Sequence, residues 1–379
     1  MSAALPALLA AALPPDAMLL GQAPGRANLM GDHTDYNDGF VLPAALESTV
    51  MVGGRPTRGL IRLRSIGAHQ VAVIDPSDGS GLTSGWGRYV AAVVRALLEE
   101  DLPVRSMEGV IASDLPSGTG LSSSAALEVA VALALLDEPI DPIRLARLCQ
   151  RAENVHVGVR CGIMDQMASV ASRAGAALLL DCRSLAIEQV PVPGGLGLLI
   201  VDSGERRSLA DGAYNLRRTE CEEAAHLIGV TTLREVERID DLPALPAPLD
   251  ARARHVVSEN VRTLSTADAL RRDDRRALGE LFAESHASLA TDFAVSTPAL
   301  DTLVELARGT DGVVASRLTG AGFGGCTVNL VEADLPDREV GRLVARYEER
   351  TGLRARSWRS RVSSGAIELR NAAAAGSPA

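Results

Sequence analysis

The sequence has 379 residues, enough for two or three domains, and its 46% hydrophobic and 23% charged residues are typical of a soluble globular protein. All 38 basic residues are arginine. The absence of lysine excludes P-loop NTPases, protein kinases and Schiff-base enzymes, each of which depends on a lysine. The net charge of −10 argues against general nucleic-acid binding, which needs a basic surface.

The cysteines and the N-terminus indicate where the protein works. Five cysteines at scattered positions, with no CxxC pair, are typical of reduced thiols in a cytoplasmic protein. The apolar N-terminal run has no basic start and is interrupted by Pro6, Pro14 and Pro15, which argues against a secretory signal. No apolar run approaches the roughly 20 residues that span a bilayer. We therefore expect a cytoplasmic protein without a membrane partner.

The first polar segment of the chain is a candidate binding loop. Residues 1–20 predict a short helix and a linker. Residues 22–43 are so dense in Gly, Asn, Asp, His and Arg that we expect a functional loop between short strands. Its polar side chains are enough to surround a small hydroxylated ligand: Arg26, Asp32, His33, Asp35 and Asn37. A turn-rich surface loop is the alternative.

Strands and a helix follow this segment. Residues 44–75 alternate apolar and polar residues, which predicts antiparallel strands. Helical spacing of apolar residues begins at Trp86 and continues to residue 98. Trp86 is either a core residue or a platform on which a flat base stacks.

Residues 110–135 predict a strand, a tight Gly-rich loop and a helix that opens with hydroxyl residues. Gly118 and Gly120 allow the backbone to turn tightly and to approach a ligand closely. Residues Ser122, Ser123 and Ser124 can cap the helix, and the N-terminus of such a helix is suited to bind phosphate. A capped turn without a ligand is an equally good interpretation of these residues alone.

Two acidic residues beyond this helix are also candidates. Glu153 lies in an amphipathic helix predicted over residues 143–154, and Asp165 lies at the start of the next predicted helix. From the residues alone, a charge partner for the helix start explains Asp165 better than a positioned base does.

The second half of the chain mixes strands and helices. Strands are predicted at 176–181, 196–202 and 312–319, and helices within 203–223, within 231–286 and from 296 onward. Four glycines within residues 320–325 indicate close approach of the backbone to a ligand or to another segment.

Three widely separated segments resemble the signature motifs of the GHMP small-molecule kinases, and among these the galactokinase family. They are residues 24–43, similar to the sugar signature, residues 115–128, similar to the phosphate loop, and residues 318–331, similar to the third motif. Residues 161–166, 214–218 and 252–257 also resemble galactokinase segments. The resemblance extends from about residue 20 to residue 368, which is most of the chain.

The resemblance implies an α+β fold of two domains, with mixed and antiparallel sheets, helices, and an active site in the cleft between the domains. The domains are then an N-terminal one at 21–195, after the helix and linker at 1–20, and a C-terminal one at 196–370. The low-complexity composition of residues 371–379 predicts a disordered tail.

The activity implied by the resemblance is ATP-dependent phosphorylation of α-D-galactose at its C1 hydroxyl, the first committed step of galactose utilisation. The partners are then the sugar and ATP, with Mg²⁺ as cofactor, and we expect a monomer. Two alternatives stay open: a GHMP kinase for N-acetylgalactosamine or arabinose, and a non-catalytic sensor that binds galactose and ATP.

The resemblance also assigns roles to residues. Asp165 and Arg26 would be catalytic, and the sugar would be bound by Asp32, His33, Asp35, Gly162, Asp165 and Tyr214. Mg²⁺ would be held by Ser124 and Glu153. ATP would be bound by Trp86, Gly118, Thr119, Gly120, Leu121, Ser122, Ser123, Ser124 and Arg206. Asp32 departs from the family, which usually has Glu there, and the shorter side chain leaves the fine sugar preference open.

Overall fold

Fourteen strands and ten α-helices form the part of the chain that the computed structural model describes, residues 4–14, 16–82, 84–116, 118–205 and 210–369. The strands are β1 Met18–Asn28, β2 Phe40–Val41, β3 Pro43–Pro56, β4 Ile61–Ser65, β5 Val71–Ile74, β6 Gly81–Leu82, β7 Met107–Ser113, β8 Ala176–Asp181, β9 Ile187–Pro191, β10 Leu196–Asp202, β11 Val313–Leu318, β12 Cys326–Glu332, β13 Arg356–Ser360 and β14 Ile367–Glu368. The helices are α1 Ala4–Ala12, α2 Gly87–Glu99, α3 Ser123–Leu135, α4 Pro142–Arg151, α5 Met164–Ala171, α6 Ala210–Ile228, α7 Leu249–Arg271, α8 Arg275–Thr291, α9 Pro298–Arg308 and α10 Asp337–Thr351.

The strands form three sheets. A seven-stranded sheet has the order β14-β1-β3-β7-β4-β5-β6, and all its pairs are antiparallel except the parallel pair of β4 with β7. A three-stranded sheet has the order β2-β8-β9, and a four-stranded sheet has the order β11-β12-β10-β13. The expected α+β architecture with mixed and antiparallel sheets is thus confirmed.

The seven-stranded sheet contains both the first and the last strand of the described chain. After β13, the chain leaves the four-stranded sheet and its final strand pairs with β1, where Gly21 lies opposite Glu368. Before that pairing, the amide of Ala366 donates to the carbonyl of Ser169 at the end of α5. The segment that follows β13 is therefore hydrogen-bonded through its backbone to both β1 and α5.

The four-stranded sheet is covered on both faces. Leu198 and Ile200 of β10 pack in a cluster with Phe282 of α8, whereas Leu199 and Val201 pack in a cluster with α9 and α10. A strand buried on both faces is apolar throughout, which explains the continuous apolar run at 196–201.

Helix α3 packs directly against β1. A Cβ atom added to Gly21 would lie 2.4 Å from the carbonyl oxygen of Ala130, so only glycine permits this approach. The amide of Arg26 donates to the carbonyl of Leu121 just before the helix. This packing places the start of α3 beside Arg26.

Two local predictions were wrong. Residues 22–28 belong to β1 and are not part of a loop; their polar groups are compatible with a buried strand because other segments satisfy them, as Thr319 does for the backbone of Asn28. The helix predicted to residue 154 ends at Arg151 and continues as a π-helical turn, Ala152–Val157. The tail at 371–379 lies outside the described residues.

Candidate functional site

A cavity of about 270 Å³ lies where β1, the start of α3, the start of α5 and the third glycine motif meet. Twelve residues that the sequence singled out line it: Arg26, Asp32, His33, Asp35, Gly118, Gly120, Ser122, Ser123, Ser124, Glu153, Asp165 and Tyr214. Residues from four distant parts of the chain therefore share one cavity.

An ion pair links the two residues expected to be catalytic. The Nε and Nη2 atoms of Arg26 lie 2.8 and 2.6 Å from Oδ1 of Asp165. Nη1 of the same guanidinium donates to the carbonyl of Gly120 at 2.6 Å. Arg26 is buried, whereas the Asp165 side chain is 25% exposed and faces the cavity. One guanidinium thus joins the carboxylate to the Gly-rich loop.

The Gly-rich loop has an open helix start. Ser122 is the N-cap residue of α3 with a φ of 57°, and it makes no side-chain capping bond, contrary to the prediction that the serines cap the helix. Its buried hydroxyl has no hydrogen-bond partner among the described residues. Uncapped amides, the helix dipole and an unpaired hydroxyl together suit an anion.

Two residues of this loop point away from the cavity. Thr119 is buried and its hydroxyl donates to the carbonyl of Pro116 at 3.0 Å. Leu121 packs in the hydrophobic core of the seven-stranded sheet. The side chains of both residues therefore support the loop.

The third glycine motif packs on the Gly-rich loop. A Cβ atom at Gly320 would lie 2.7 Å from the carbonyl oxygen of Gly120, and the φ of Gly320 is +81°. The glycines at 320–325 therefore mark close approach to another chain segment, which was one of the two interpretations of the sequence.

Asp35 is held rigidly at one side of the cavity. Its Oδ1 accepts the amide of Tyr36 at 3.0 Å. Burial, and then the charge of Asp165, raises the pKa of Asp35 to about 7. Gly162 does not line the cavity but packs behind this carboxyl group, since a Cβ atom there would lie 2.1 Å from Oδ2 of Asp35.

Glu153 lies on the π-helical turn and faces the same cavity. Its Oε2 accepts from Nε2 of Gln166 at 2.9 Å, and Ser124 lines the same cavity. Burial, and then the charge of Asp165, raises the pKa of Glu153 to about 7. A hydroxyl and a carboxyl oxygen side by side are ligands that Mg²⁺ accepts.

Within the described ranges, no group of three or more His, Cys, Asp or Glu side chains is arranged to hold a metal ion. A cation at Ser124 and Glu153 would therefore need phosphate oxygens and water as further ligands, which is how Mg²⁺ commonly binds.

The ring of His33 forms part of the cavity wall, but its nitrogen atoms are hydrogen-bonded to the protein itself. Its Nε2 lies 3.2 Å from the carbonyl oxygen of Ala321, so Nε2 carries the proton and Nδ1 accepts from the hydroxyl of Tyr36 at 2.8 Å. Burial lowers the pKa of His33 to about 3. The ring packs against Tyr214 with a centroid distance of 5.6 Å. Both nitrogens of this neutral ring are thus used within the protein.

Asp32 is almost fully buried at the cavity wall and is paired with a residue that the sequence reasoning missed. Its Oδ2 forms an ion pair with the guanidinium of Arg317 on β11, and its Oδ1 accepts the amide of Gly320 at 3.1 Å. The available signal was an arginine inside the otherwise uncharged run at 313–318.

The aromatic residue in the cavity wall is not the expected one. Trp86 does not line the cavity; it packs against the large hydrophobic core, and its buried indole N–H has no partner among the described residues. Tyr89, one turn further along α2, does line the cavity. Other lining residues that were missed are Val159, Cys161, Met164, Gly320 and Ala321. Arg206 lies outside the described residues.

None of the five cysteines, all of which lie in the described residues, forms a disulfide. No helix in the described part of the chain is both long and apolar enough to cross a membrane.

Three family models match the chain. They are the galactokinase galactose-binding signature at residues 11–56, the GHMP kinases N terminal domain at residues 88–173 and the GHMP kinases C terminal model at residues 266–349.

Curated relatives are similar over most of their length. A galactokinase of Chloroflexus aggregans is 46% identical over 352 residues, covering 88% of this chain and 89% of the relative. A galactokinase of Roseiflexus sp. is 45% identical over 362 residues, covering 91% of each chain.

Solved structures agree with these relatives. The Lactococcus lactis galactokinase complexed with galactose has a TM-score of 0.87 and 33% identity, over 94% of this chain and 96% of that chain. The Methanococcus jannaschii mevalonate kinase, at 16% identity and a TM-score of 0.66 over 93% of this chain and 100% of that chain, shares the fold. The expected fold is thus confirmed.

Proposed function

This chain belongs to the galactokinase family of the GHMP kinases, and we propose that its cleft transfers the γ-phosphoryl group of ATP to the C1 hydroxyl of α-D-galactose. The products are galactose 1-phosphate and ADP. The observation that carries this proposal is the guanidinium of Arg26, which contacts both Asp165 and the Gly-rich loop. This guanidinium therefore holds the carboxylate that would accept from the sugar hydroxyl at a fixed distance from the loop that would bind phosphate.

In the proposed reaction, the C1 hydroxyl donates a hydrogen bond to Asp165. A bond forms between the C1 oxygen and the γ-phosphorus, the bond from that phosphorus to the β,γ-bridging oxygen breaks, and ADP leaves with the bond's electrons. The hydroxyl proton passes to Asp165 and then to solvent. Because phosphoryl transfer depends mainly on positioning and charge stabilisation, Asp165 can act chiefly by orienting the hydroxyl.

The nucleotide phosphates would bind at the start of α3. The left-handed N-cap leaves the first amides of the helix free of a side-chain cap, and Ser122 itself lines the cavity. Arg26 adds a positive charge next to this loop, which stabilises negative charge on the transferring group. Neither arrangement needs a lysine, which this sequence lacks.

Ser124 and Glu153 would hold Mg²⁺, because both residues line the cavity and offer a hydroxyl and a carboxyl oxygen. The bound ion supplies charge neutralisation of the phosphates. We propose that adenine lies near Trp86, whose indole N–H is unpaired, and that Arg206 acts near the phosphates.

The sugar would be bound by the hydrogen-bonding groups of Asp32, Asp35, Asp165 and Tyr214. His33 would shape this end of the cavity, and Gly162 would support Asp35 from behind. We further propose that the enzyme acts as a monomer in the cytoplasm, where ATP is available and the five thiols stay reduced.

The test is the initial rate of ADP formation with Mg-ATP and each of galactose, N-acetylgalactosamine and arabinose, with galactitol as the blank. ³¹P NMR of the product shows whether phosphate is attached at C1. We expect galactose to have the highest kcat/KM. A higher value for either of the other sugars would overturn the galactose assignment, and binding of galactose and ATP without a phosphorylated product would support a sensor.

A further inference from the structure

Arg317 is a fully buried arginine on β11 that belongs to none of the groups assigned above. Its Nη2 atom is paired with Oδ2 of Asp32. Its Nη1 atom donates to the carbonyl of Leu29 at 2.9 Å and lies 3.7 Å from Oε1 of Glu259. The arginine therefore connects the four-stranded sheet to the segment that carries Asp32.

A buried guanidinium is costly unless it is paired, because a charge loses its hydration in the interior. Here the formal charges are equal in number, since the two carboxyl groups of Asp32 and Glu259 face the two guanidinium groups of Arg317 and Arg262. Arg262 lies 2.7 Å from Glu259. Glu259 also accepts from the amide of Gly31 at 3.1 Å. A neutral network of this kind keeps its members in fixed positions.

Asp32 is the member of this network that reaches the cavity. Three groups fix it: Arg317 at Oδ2, the amide of Gly320 at Oδ1, and the ring of His255, whose Nε2 lies 3.1 Å from its carbonyl oxygen. Each carboxylate oxygen can accept more than one hydrogen bond, so these contacts do not use up the capacity of Asp32 to accept from a hydroxyl.

We propose that Arg317 is a positioning residue of the sugar site. By pairing with Asp32, it keeps this short carboxyl group oriented so that it accepts from one hydroxyl of the sugar. The inference rests on the proposed function, because it assumes that a sugar occupies this cavity. Arg317 does not line the cavity and acts only through Asp32.

The short side chain of Asp32 makes its protein partners important. An aspartate has only one methylene between backbone and carboxyl group, so small changes in its surroundings move the carboxylate relative to a ligand. Removing Arg317 would therefore change how Asp32 meets the sugar, whereas phosphoryl transfer at Asp165 would continue at saturating sugar.

The test combines substitution of Arg317 by methionine with removal of single hydroxyl groups from the sugar. The affinity of the full-length enzyme for galactose and for its 2-, 3-, 4- and 6-deoxy derivatives is measured by calorimetry without nucleotide, for the wild type and for Arg317→Met. We expect one deoxy sugar to bind the wild type at least roughly tenfold more weakly than galactose does, and to bind Arg317→Met nearly as well as galactose does. We call the loss of affinity caused by removing one sugar hydroxyl the penalty for that hydroxyl. The penalties for the other hydroxyls should be the same in Arg317→Met as in the wild type.

The controls separate positioning from folding. Arg262→Met damages the same buried network without touching Asp32, so it should lower the melting temperature but keep the wild-type pattern of hydroxyl penalties. The double variant Asp32→Asn/Arg317→Met removes both charges and carries the test if Arg317→Met does not fold; it should show the same loss of one penalty.

The outcomes are distinct. If all penalties in Arg317→Met, or in the double variant, equal those of the wild type, Arg317 is a structural residue and the inference is overturned. If the wild type binds none of these sugars, the proposed function falls, and the inference falls with it.

Discussion

The contact between Gly162 and Asp35 allows a sharp test of the sugar site. In Gly162→Ala the new methyl group would lie 2.1 Å from Oδ2 and 2.2 Å from Cγ of Asp35. The oxygen must then move by about 1.3 Å, the difference between 2.1 Å and an ordinary contact of 3.4 Å. Because Asp35 is buried and held by the amide of Tyr36, this shift takes the carboxyl group out of its present position.

A displacement of about 1 Å in a binding group can cost about a hundredfold, and a hydrogen bond to a charged group is worth about 1.5–3 kcal/mol. We therefore expect kcat/KM for galactose to fall by roughly 10- to 100-fold, mainly through a higher KM for the sugar, with KM for ATP unchanged. The assay is steady-state ADP release with each substrate varied in turn.

Gly194→Ala is the matched control, since no atom lies within 4 Å of a Cβ atom added there. It should have wild-type kinetics. A folded Gly162→Ala enzyme with the wild-type KM for galactose would refute the role of Asp35 in sugar binding and the argument from this contact.

Three more predictions concern the carboxylates and a helix cap. Asp165→Asn should lower kcat by roughly 10²- to 10⁴-fold while calorimetry still detects galactose binding; near-normal turnover would remove Asp165 from the mechanism. Because the pKa of Asp35 is raised from 3.8 to about 7, the folded state holds a proton there that the unfolded state releases. The stability of the ligand-free enzyme should therefore fall as pH rises through this range, and Asp35→Asn should flatten the melting-temperature profile; an unchanged profile contradicts this. Asp274→Ala removes the carboxylate that accepts from Ala277 at the start of α8, and should cost about 1 kcal/mol in chemical unfolding with unchanged kinetics; wild-type stability would argue against the cap.

Local patterns in the sequence were sufficient for much of the fold. Strand β4 at Ile61–Ser65 follows from the alternation of apolar and polar residues, and α9 starts where Thr297 and Pro298 predict it, with the Thr297 side chain accepting from the amide of Leu300. These features depend on neighbours in the chain, so composition and spacing predict them.

The errors come from contacts between distant residues. The polar residues of β1 are unusual for a buried strand, and their partners, among them Asp165, Gly120 and Thr319, are far away in sequence. Arg317 was missed for the same reason, because its partner Asp32 lies 285 residues earlier. The sequence shows that Arg317 interrupts an uncharged run, but it contains no local signal for which distant residue is the partner.

The pairing of β14 with β1 also affects how the protein is made. Among the strands of its sheet, β1, which bears Arg26, is synthesised first, and its edge partner at Ile367–Glu368 is synthesised last. The seven-stranded sheet therefore stays incomplete, with its β1 edge open, until β14 has been synthesised. Closing that edge is a contact of very high sequence separation, so it belongs among the late steps of folding. The catalytic cleft is thus finished only when the second half of the chain returns to the first strand.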